Sequence, residues 1–118
     1  MRKVLVIEDE ALLGLEIIAA LGKAGIEAIG PFPTVDGALA AIAGRKFDAA
    51  LVDLNLNGIP SFDAAAALKR KSIPFAFVTA YDRIPLPREF SSVPMLRKPC
   101  DEQRLLSMTR RLLGIPQI

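Results

Sequence analysis

Four short stretches of this sequence carry side chains that can do chemistry together. Two acids, Glu8 and Asp9, follow one apolar run, and a single carboxylate, Asp53, follows another. A hydroxyl, Thr79, and an ammonium, Lys98, follow two further apolar segments. Carboxylates act as nucleophiles in covalent catalysis, including the formation of aspartyl phosphates. The combination therefore predicts that Asp53 accepts a phosphoryl group.

Carboxylates that gather at one place repel one another, and a hard divalent cation with oxygen ligands removes that repulsion. We therefore predict a Mg²⁺ site. Asp9 and Asp53 are the predicted direct ligands. Glu8 is expected to act through a water molecule, and Asn55 through its backbone carbonyl.

A transferred phosphoryl group spreads its charge over three oxygens, so the site must mainly position that group and stabilise its charge. Mg²⁺, the Lys98 ammonium and the Thr79 hydroxyl are the predicted partners of these oxygens. Pro99 favours an extended conformation at Lys98, and a cis peptide bond between them would aim the lysine inward.

Each of these residues also has a simpler interpretation when it is taken alone. An acidic run such as 8–10 commonly begins a helix, and an aspartate such as Asp53 commonly begins a turn. Thr79 suits a strand, and Lys98 alone would be an exposed lysine. Only the convergence of four strand ends on one pocket favours the phosphoryl site.

The composition excludes other kinds of active site. The 118 residues include one cysteine, Cys100, and no histidine, which excludes an internal disulfide and any mechanism that needs histidine. A structural zinc site is disfavoured for the same reason. The net charge of +2 is too small to predict nucleic-acid binding. Because no signal peptide or membrane span is visible, we expect one cytoplasmic domain over residues 1–118.

Five apolar runs alternate with helical patterns. The predicted strands cover residues 4–7, 27–30, 47–54, 73–79 and 93–96. This alternation predicts an α/β fold with a doubly wound, five-stranded parallel sheet and right-handed crossovers. Ligands of such sheets bind beyond the carboxyl ends of the strands, which is where the chemical side chains stand.

The helices are predicted from their N-caps and their periodicity. The expected N-caps are Thr34, Ser61 and Asp101. The first helix, from residue 11, has two candidate buried faces: Leu12, Leu15, Ile18 and Leu21, or Leu13 and Ile17. Pro31 and Pro33 are expected to stop the second strand at residue 30.

The segment 80–92 departs from this pattern. Pro85 and Pro87 remove backbone donors and disfavour helical geometry at the residues before them. We therefore predict an irregular, mobile crossover with a short or disordered fourth helix and at most one turn. Leu86 and Phe90 are expected to hold it by packing onto the sheet.

The chain resembles a response-regulator receiver domain over nearly all of residues 2–114. The motifs that carry the resemblance are Glu8-Asp9, Asp53, Thr79 and Lys98-Pro99. It implies a CheY-like, flavodoxin-like sheet of order 2-1-3-4-5. It also implies two-component signal transduction, in which Asp53 accepts phosphate from a histidine kinase or a phosphotransfer protein and the domain changes conformation to alter partner binding.

The resemblance also implies a role for each motif residue. Glu8 and Asp9 would form the acidic pocket, Thr79 would be the switch hydroxyl, and Lys98 would contact the phosphate. Such a domain catalyses its own phosphorylation and dephosphorylation, and is not a conventional enzyme on an external substrate.

Two features distinguish the chain from most receivers. Met95 stands where most of them carry an aromatic residue on the fifth strand. The segment 74–81, Pro-Phe-Ala-Phe-Val-Thr-Ala-Tyr, is similar to the Pro-Phe-x-Phe-Ala-Thr-Gly-Tyr pattern of the alpha-proteobacterial FATGUY receivers, although Val78 and Ala80 differ. Those receivers are often single-domain, tend to have a degraded fourth helix and tend to pair with HWE-type kinases. We hypothesise that Tyr81 takes over the aromatic switch role; the alternative is that Tyr81 only covers the pocket rim.

Two other functions stay open at this point. The chain could be a docking module with a receiver fold that is not phosphorylated, although Asp9, Asp53, Thr79 and Lys98 would then be dispensable. It could also be a small phosphatase or hydrolase, although no second catalytic acid is placed to assist a leaving group. No output domain is expected within these 118 residues, and no nucleic acid or membrane is expected as a partner.

Overall fold

The computed structural model describes residues 2–80 and 85–116. Its strands are β1 (Lys3–Ile7), β2 (Glu27–Phe32), β3 (Ala49–Asp53), β4 (Asn55–Leu56), β5 (Ile59–Pro60), β6 (Phe75–Thr79) and β7 (Met95–Arg97). Its helices are α1 (Ala11–Lys23), α2 (Val35–Gly44), α3 (Phe62–Arg70) and α4 (Glu102–Leu113), with a 3-10 turn at Arg88–Phe90. Within the described ranges, no helix is long and apolar enough to span a bilayer.

Five strands form one parallel sheet in the order β2-β1-β3-β6-β7. Counted along the chain within this sheet, that is the predicted order 2-1-3-4-5, so the doubly wound fold is confirmed. The strand order reverses between β1 and β3, and a crevice therefore opens at their carboxyl ends. The short strands β4 and β5 form a separate antiparallel hairpin, where only a loop was predicted.

The apolar core lies on both faces of the sheet. One cluster packs between the sheet and helices α2 and α3, and the other packs beneath α1 and α4. Strands β3 and β6 are buried along their whole length, because helices cover both of their faces. This two-sided burial explains why they read as continuous apolar runs.

Helix α1 buries Ile17 of its second candidate face and Leu21 of its first, while Leu13 and Ile18 are partly buried. Leu12 and Leu15 are 71% and 59% exposed, whereas Ile17 is buried. The prediction that Leu12 and Leu15 are buried was wrong, because the helix is apolar on nearly all sides and its period fits two faces. The face that contains Gly14 packs closely against Pro31, since a Cβ at position 14 would lie 2.7 Å from the Cβ and Cγ of Pro31. This close approach turns the Gly14 face inward.

Strand β2 continues to Phe32, two residues beyond its predicted end at Gly30. The Phe32 carbonyl accepts the backbone N–H of Glu8 at 3.0 Å, so the strand still pairs after Pro31. The prediction that Pro31 stops the strand was wrong. Strand β2 lies at the edge of the sheet. A proline is tolerated there because the absent N–H is on the side of the strand that has no neighbouring strand to bond.

Two of the three predicted N-caps form their hydrogen bonds. The side chains of Thr34 and Asp101 accept backbone N–H groups three residues later, at 3.1 and 2.8 Å. Ser61 precedes α3, but its hydroxyl makes no capping bond and donates instead to the backbone carbonyl of Asp53 at 2.6 Å. Its predicted capping role was therefore wrong, and its hydroxyl ties α3 to the end of β3.

The crossover between β6 and β7 has no α-helix among its described residues, only the 3-10 turn. Phe90 in this turn is fully buried, and Leu86 packs against the same cluster. The Phe90 ring lies 5.9, 6.4 and 5.9 Å, between centroids, from the rings of Phe62, Phe75 and Phe77. The prediction of at most one turn agrees with residues 85–94, and the anchoring of the segment by Leu86 and Phe90 is confirmed. Its mobility stays a prediction.

Candidate functional site

The carboxyl ends of neighbouring strands bring the predicted acids and hydroxyl to one edge of the sheet. Asp53 is the last residue of β3, Thr79 is the last residue of β6, and Glu8 follows β1. Glu8, Asp53 and Thr79 are only 2%, 4% and 1% exposed. The polar groups are thus held in a largely water-excluded place, where electrostatic interactions are stronger than in bulk water.

Lys98 supplies the positive charge of the site. Its Nζ lies 2.9 Å from Oδ2 of Asp53, 2.9 Å from Oε1 of Glu8 and 3.4 Å from Oε1 of Glu10. Its backbone N–H donates to the Thr79 carbonyl at 2.8 Å, which joins β6 to the lysine. The contact with Glu10 was missed from the sequence, because a third acid before a helix is indistinguishable from an ordinary helix start.

The surroundings of Glu8 and Lys98 shift both of their pKa values. Burial raises the pKa of Glu8 to about 8; the neighbouring Asp53 adds to this effect, and Lys98 opposes it. For Lys98, burial acts to lower the pKa, but the hydrogen bonds and charges of Asp53 and Glu8 outweigh burial and raise it. Lys98 is therefore charged at neutral pH, and Glu8 holds a proton more readily than an ordinary glutamate.

Asp9 is held by the β4–β5 hairpin. Its Oδ2 accepts the backbone N–H of Asn57 at 2.9 Å. Burial acts to raise the pKa of Asp9. Hydrogen bonds from the Asn57 N–H and with neighbouring side chains outweigh burial, so the pKa of Asp9 is below its usual value. The hairpin also contacts Asp53, whose Oδ1 accepts the Asn55 N–H at 3.0 Å. An Asn-Gly pair between short strands is a hairpin signal, so Asn57-Gly58 could have revealed this element.

The oxygen atoms of the site fit a hard divalent cation. One carboxylate oxygen from each of Glu8, Asp9 and Glu10 lies within 4.8 Å of the others. Carboxylate oxygens without thiolate or imidazole suit Mg²⁺. Of the predicted ligands, Glu8, Asp9 and Asp53 come together in the site. The Asn55 side chain is engaged within the hairpin, and the use of its backbone carbonyl as a ligand stays a prediction.

The three switch candidates have different locations. Thr79 is buried at the site. Met95 pairs with Phe77 at the sheet edge and is 40% exposed. Tyr81 lies outside the described residues. The peptide bond between Lys98 and Pro99 is cis, which is one of the conformations considered from the sequence.

Family and sequence comparisons agree with this geometry. The sequence model of the family "Response regulator receiver domain" matches residues 4–110. The sensory transduction protein LytT of Bacillus anthracis is 33% identical over 115 residues, which is 94% of this chain and 47% of that protein. The chain therefore spans about half the length of the curated relatives it matches.

Solved structures show the same fold. SdrG from Sphingomonas melonis Fr1 is 30% identical, with a TM-score of 0.82 and 98% of each chain covered. The receiver domain of the sensor histidine kinase PA1611 from Pseudomonas aeruginosa PAO1 is 21% identical, with a TM-score of 0.80 and coverage of 96% of this chain and 98% of that one. That structure has a magnesium ion coordinated in its active-site cleft. The present chain belongs to the response regulator receiver domain family, the receiver modules of two-component signal transduction.

Proposed function

We propose that residues 1–118 form one receiver domain that accepts a phosphoryl group on Asp53 and then changes conformation to alter partner binding. The observation that carries this proposal is the placement of the Asp53 carboxylate. It is 4% exposed, one oxygen lies 2.9 Å from the Lys98 ammonium, and the other accepts the Asn55 N–H at 3.0 Å. This nucleophile is fixed in orientation beside a cation that can stabilise the transferred charge.

The proposed step is an in-line displacement at phosphorus. An oxygen of Asp53 forms the new bond to phosphorus while the bond to the donor's leaving group breaks, and the product is an acyl phosphate. The Lys98 ammonium would stabilise charge on the phosphoryl oxygens, and the Thr79 hydroxyl, which is buried at the end of β6, would donate a hydrogen bond to one of them. Glu8, Asp9, Asp53 and the Asn55 carbonyl are the proposed Mg²⁺ ligands, with Glu10 added from the structure. Bound Mg²⁺ would neutralise part of the phosphoryl charge.

We propose a histidine kinase or a phosphotransfer protein as the phosphoryl donor. Its phosphohistidine must approach Asp53, and α1 presents the exposed Leu12 and Leu15, of which Leu12 lies beside the site. A groove of 430 Å³, lined by residues that include Leu12, Lys98 and Pro99, connects that surface to the site. Exposed apolar side chains next to a reactive centre are typical of protein–protein contact surfaces.

We further propose a place in the FATGUY group and a kinase of the HWE type, on the strength of the pattern over residues 74–81. Tyr81 would then replace the aromatic switch that Met95 does not provide. Backbone NMR of residues 80–93, with and without beryllofluoride as a phosphate mimic, tests the switch role of Tyr81. Changes that stop at the loop after Asp53 would contradict a switch role for Tyr81.

The phosphorylation itself is tested with acetyl phosphate, Mg²⁺ and intact-mass spectrometry. The wild-type protein should gain one phosphoryl group and release acetate. Chelation of Mg²⁺ or the substitution Asp53→Asn should abolish the gain, whereas Asp63→Asn, at an exposed aspartate of α3, should keep it. Absence of the adduct with both acetyl phosphate and phosphorylated histidine kinases would contradict the proposal and favour a docking module.

A further inference from the structure

The β4–β5 hairpin makes a contact with the site that the proposed reaction does not use. Its two turn residues, Asn57 and Gly58, have backbone φ angles of 52° and 86°. Two-residue hairpin turns with positive φ at both positions favour the Asn-Gly pair. This conformation directs the Asn57 N–H at Oδ2 of Asp9, 2.9 Å away. The turn thus reaches from the end of β3 to the acid that follows β1.

The hairpin is also tied to Asp53 at both of its ends. At its start, the Asn55 N–H donates to Oδ1 of Asp53 at 3.0 Å. At its end, the buried Ser61 hydroxyl donates to the Asp53 carbonyl at 2.6 Å. Within the turn, Oδ1 of Asn55 accepts the Gly58 N–H at 2.6 Å. The conformation of the turn therefore sets where Asp9 is held relative to Asp53.

We propose that the Asn57-Gly58 turn is a positioning element that orients the Asp9 carboxylate for a divalent cation. The Asn57 N–H occupies one oxygen of Asp9 and restricts the rotation of the carboxylate, which leaves the second oxygen for the cation. The inference rests on the proposed function, because it concerns the acids that would hold Mg²⁺. Groups that orient metal ligands raise metal affinity without touching the metal.

The glycines of the chain provide a variant and a matched control. In Gly58→Ala, the new Cβ would meet nothing within 4 Å, so the substitution perturbs the turn only through its left-handed backbone. Gly25→Ala has the same character, with φ 77° and open space, but Gly25 lies between α1 and β2, at the other end of the strands. Both variants should lose similar stability.

Mg²⁺ affinity, measured by titration of backbone amide chemical shifts, separates the two variants. Gly58→Ala should weaken Mg²⁺ binding by about tenfold, the lower end of the range for lost orienting partners. It should also speed hydrogen exchange of the Asn57 amide. Gly25→Ala should change neither quantity. A second variant, Asn55→Ala, removes the side-chain oxygen that holds the Gly58 N–H and should shift both readouts in the direction of Gly58→Ala.

The outcomes distinguish this inference from the proposed function. If the wild-type protein shows no Mg²⁺-dependent shifts, the proposed metal site itself is contradicted. If the wild type binds Mg²⁺ and Gly58→Ala binds it as tightly as Gly25→Ala, the positioning role is overturned while the proposed function stands. If Gly58→Ala does not fold, as judged by circular dichroism, Asn55→Ala decides in the same way.

Discussion

Replacing Lys98 with methionine removes the one cation that contacts the buried acids in the described part of the site. Methionine keeps an apolar stem but not the ammonium, which lies 2.9 Å from an oxygen of Asp53 and 2.9 Å from one of Glu8. The two carboxyl side chains are 5% and 2% exposed, so they have little contact with water that could compensate for the lost ammonium. We therefore expect Lys98→Met to destabilise the metal-free protein.

The size of the loss follows from burial and from the protonation of Glu8. Removing one partner of a buried ion pair typically costs about 3–5 kcal/mol. We expect about 3 kcal/mol, because Glu8, with a pKa of about 8, can take up a proton. This pKa lies above the ordinary 4.5, so the proton stabilises the folded state at low pH, and the contribution is lost as pH rises through 8.

The same linkage predicts how the loss depends on pH. Lys98 lowers the pKa of Glu8 in the wild-type protein, so the variant should have a still higher Glu8 pKa. The destabilisation should then be larger at about pH 8.5 than at about pH 5.5, and it should approach its full growth of roughly 1.4 kcal/mol for each unit of additional pKa shift only above the Glu8 pKa of the variant.

Urea unfolding monitored by circular dichroism, without Mg²⁺ and at both pH values, measures these free energies. Lys46→Met, at an exposed lysine, is the control and should leave the unfolding free energy unchanged. An equal loss at both pH values, or no loss in Lys98→Met, would refute the description of the site as a buried cluster balanced by one lysine.

Further predictions concern the crossover, a helix cap and the cysteine. Phe90→Ala should cost about 3–5 kcal/mol of unfolding free energy, since its ring is fully buried, and more than Leu86→Ala; equal urea midpoints would contradict this anchoring. Asp101→Ala should cost about 1 kcal/mol through its lost cap, seen as a lower Tm; an unchanged Tm would contradict it. Burial raises the pKa of Cys100, so at neutral pH the Cys100 thiol should react with iodoacetamide more slowly than the thiol of free glutathione does. A faster reaction of Cys100 would contradict this prediction.

The sheet and its reactive edge were predictable because strands that are buried on both faces consist of continuous apolar runs. Strands β3 and β6 are continuous apolar runs, and each ends in a polar residue, Asp53 or Thr79. Parallel strands place such residues at the same edge. The site could therefore be assembled from strand ends without knowledge of any side-chain distance.

The orientation of α1 was not decided by periodicity alone. A helix with leucine or isoleucine on nearly every side satisfies the period in more than one way. The choice depends on Gly14 meeting Pro31, a contact between residues 17 positions apart. The exposed Leu12 and Leu15 that result are the residues we propose for partner contact, so the error concealed the surface on which that proposal depends.

The contacts of the acidic pocket were also beyond sequence reasoning. Glu10 reaches Lys98 only because α1 begins beside the lysine, and Asn57 reaches Asp9 only through the hairpin.

The irregular crossover after β6, by contrast, was predictable from the sequence. Pro85 and Pro87 predicted an irregular segment, and its described residues contain only the 3-10 turn, which the buried Phe90 anchors.

Asp53 itself is the residue that we propose to carry the phosphoryl group. Borohydride reduction of the protein after treatment with acetyl phosphate and Mg²⁺ converts an acyl phosphate into an alcohol, which peptide mass spectrometry can locate. We predict one reduced residue, at Asp53, and none in the protein kept without phosphate donor. Reduction at Glu8, Asp9 or Glu10 instead of Asp53, or no reduced residue at all, would contradict phosphorylation of Asp53.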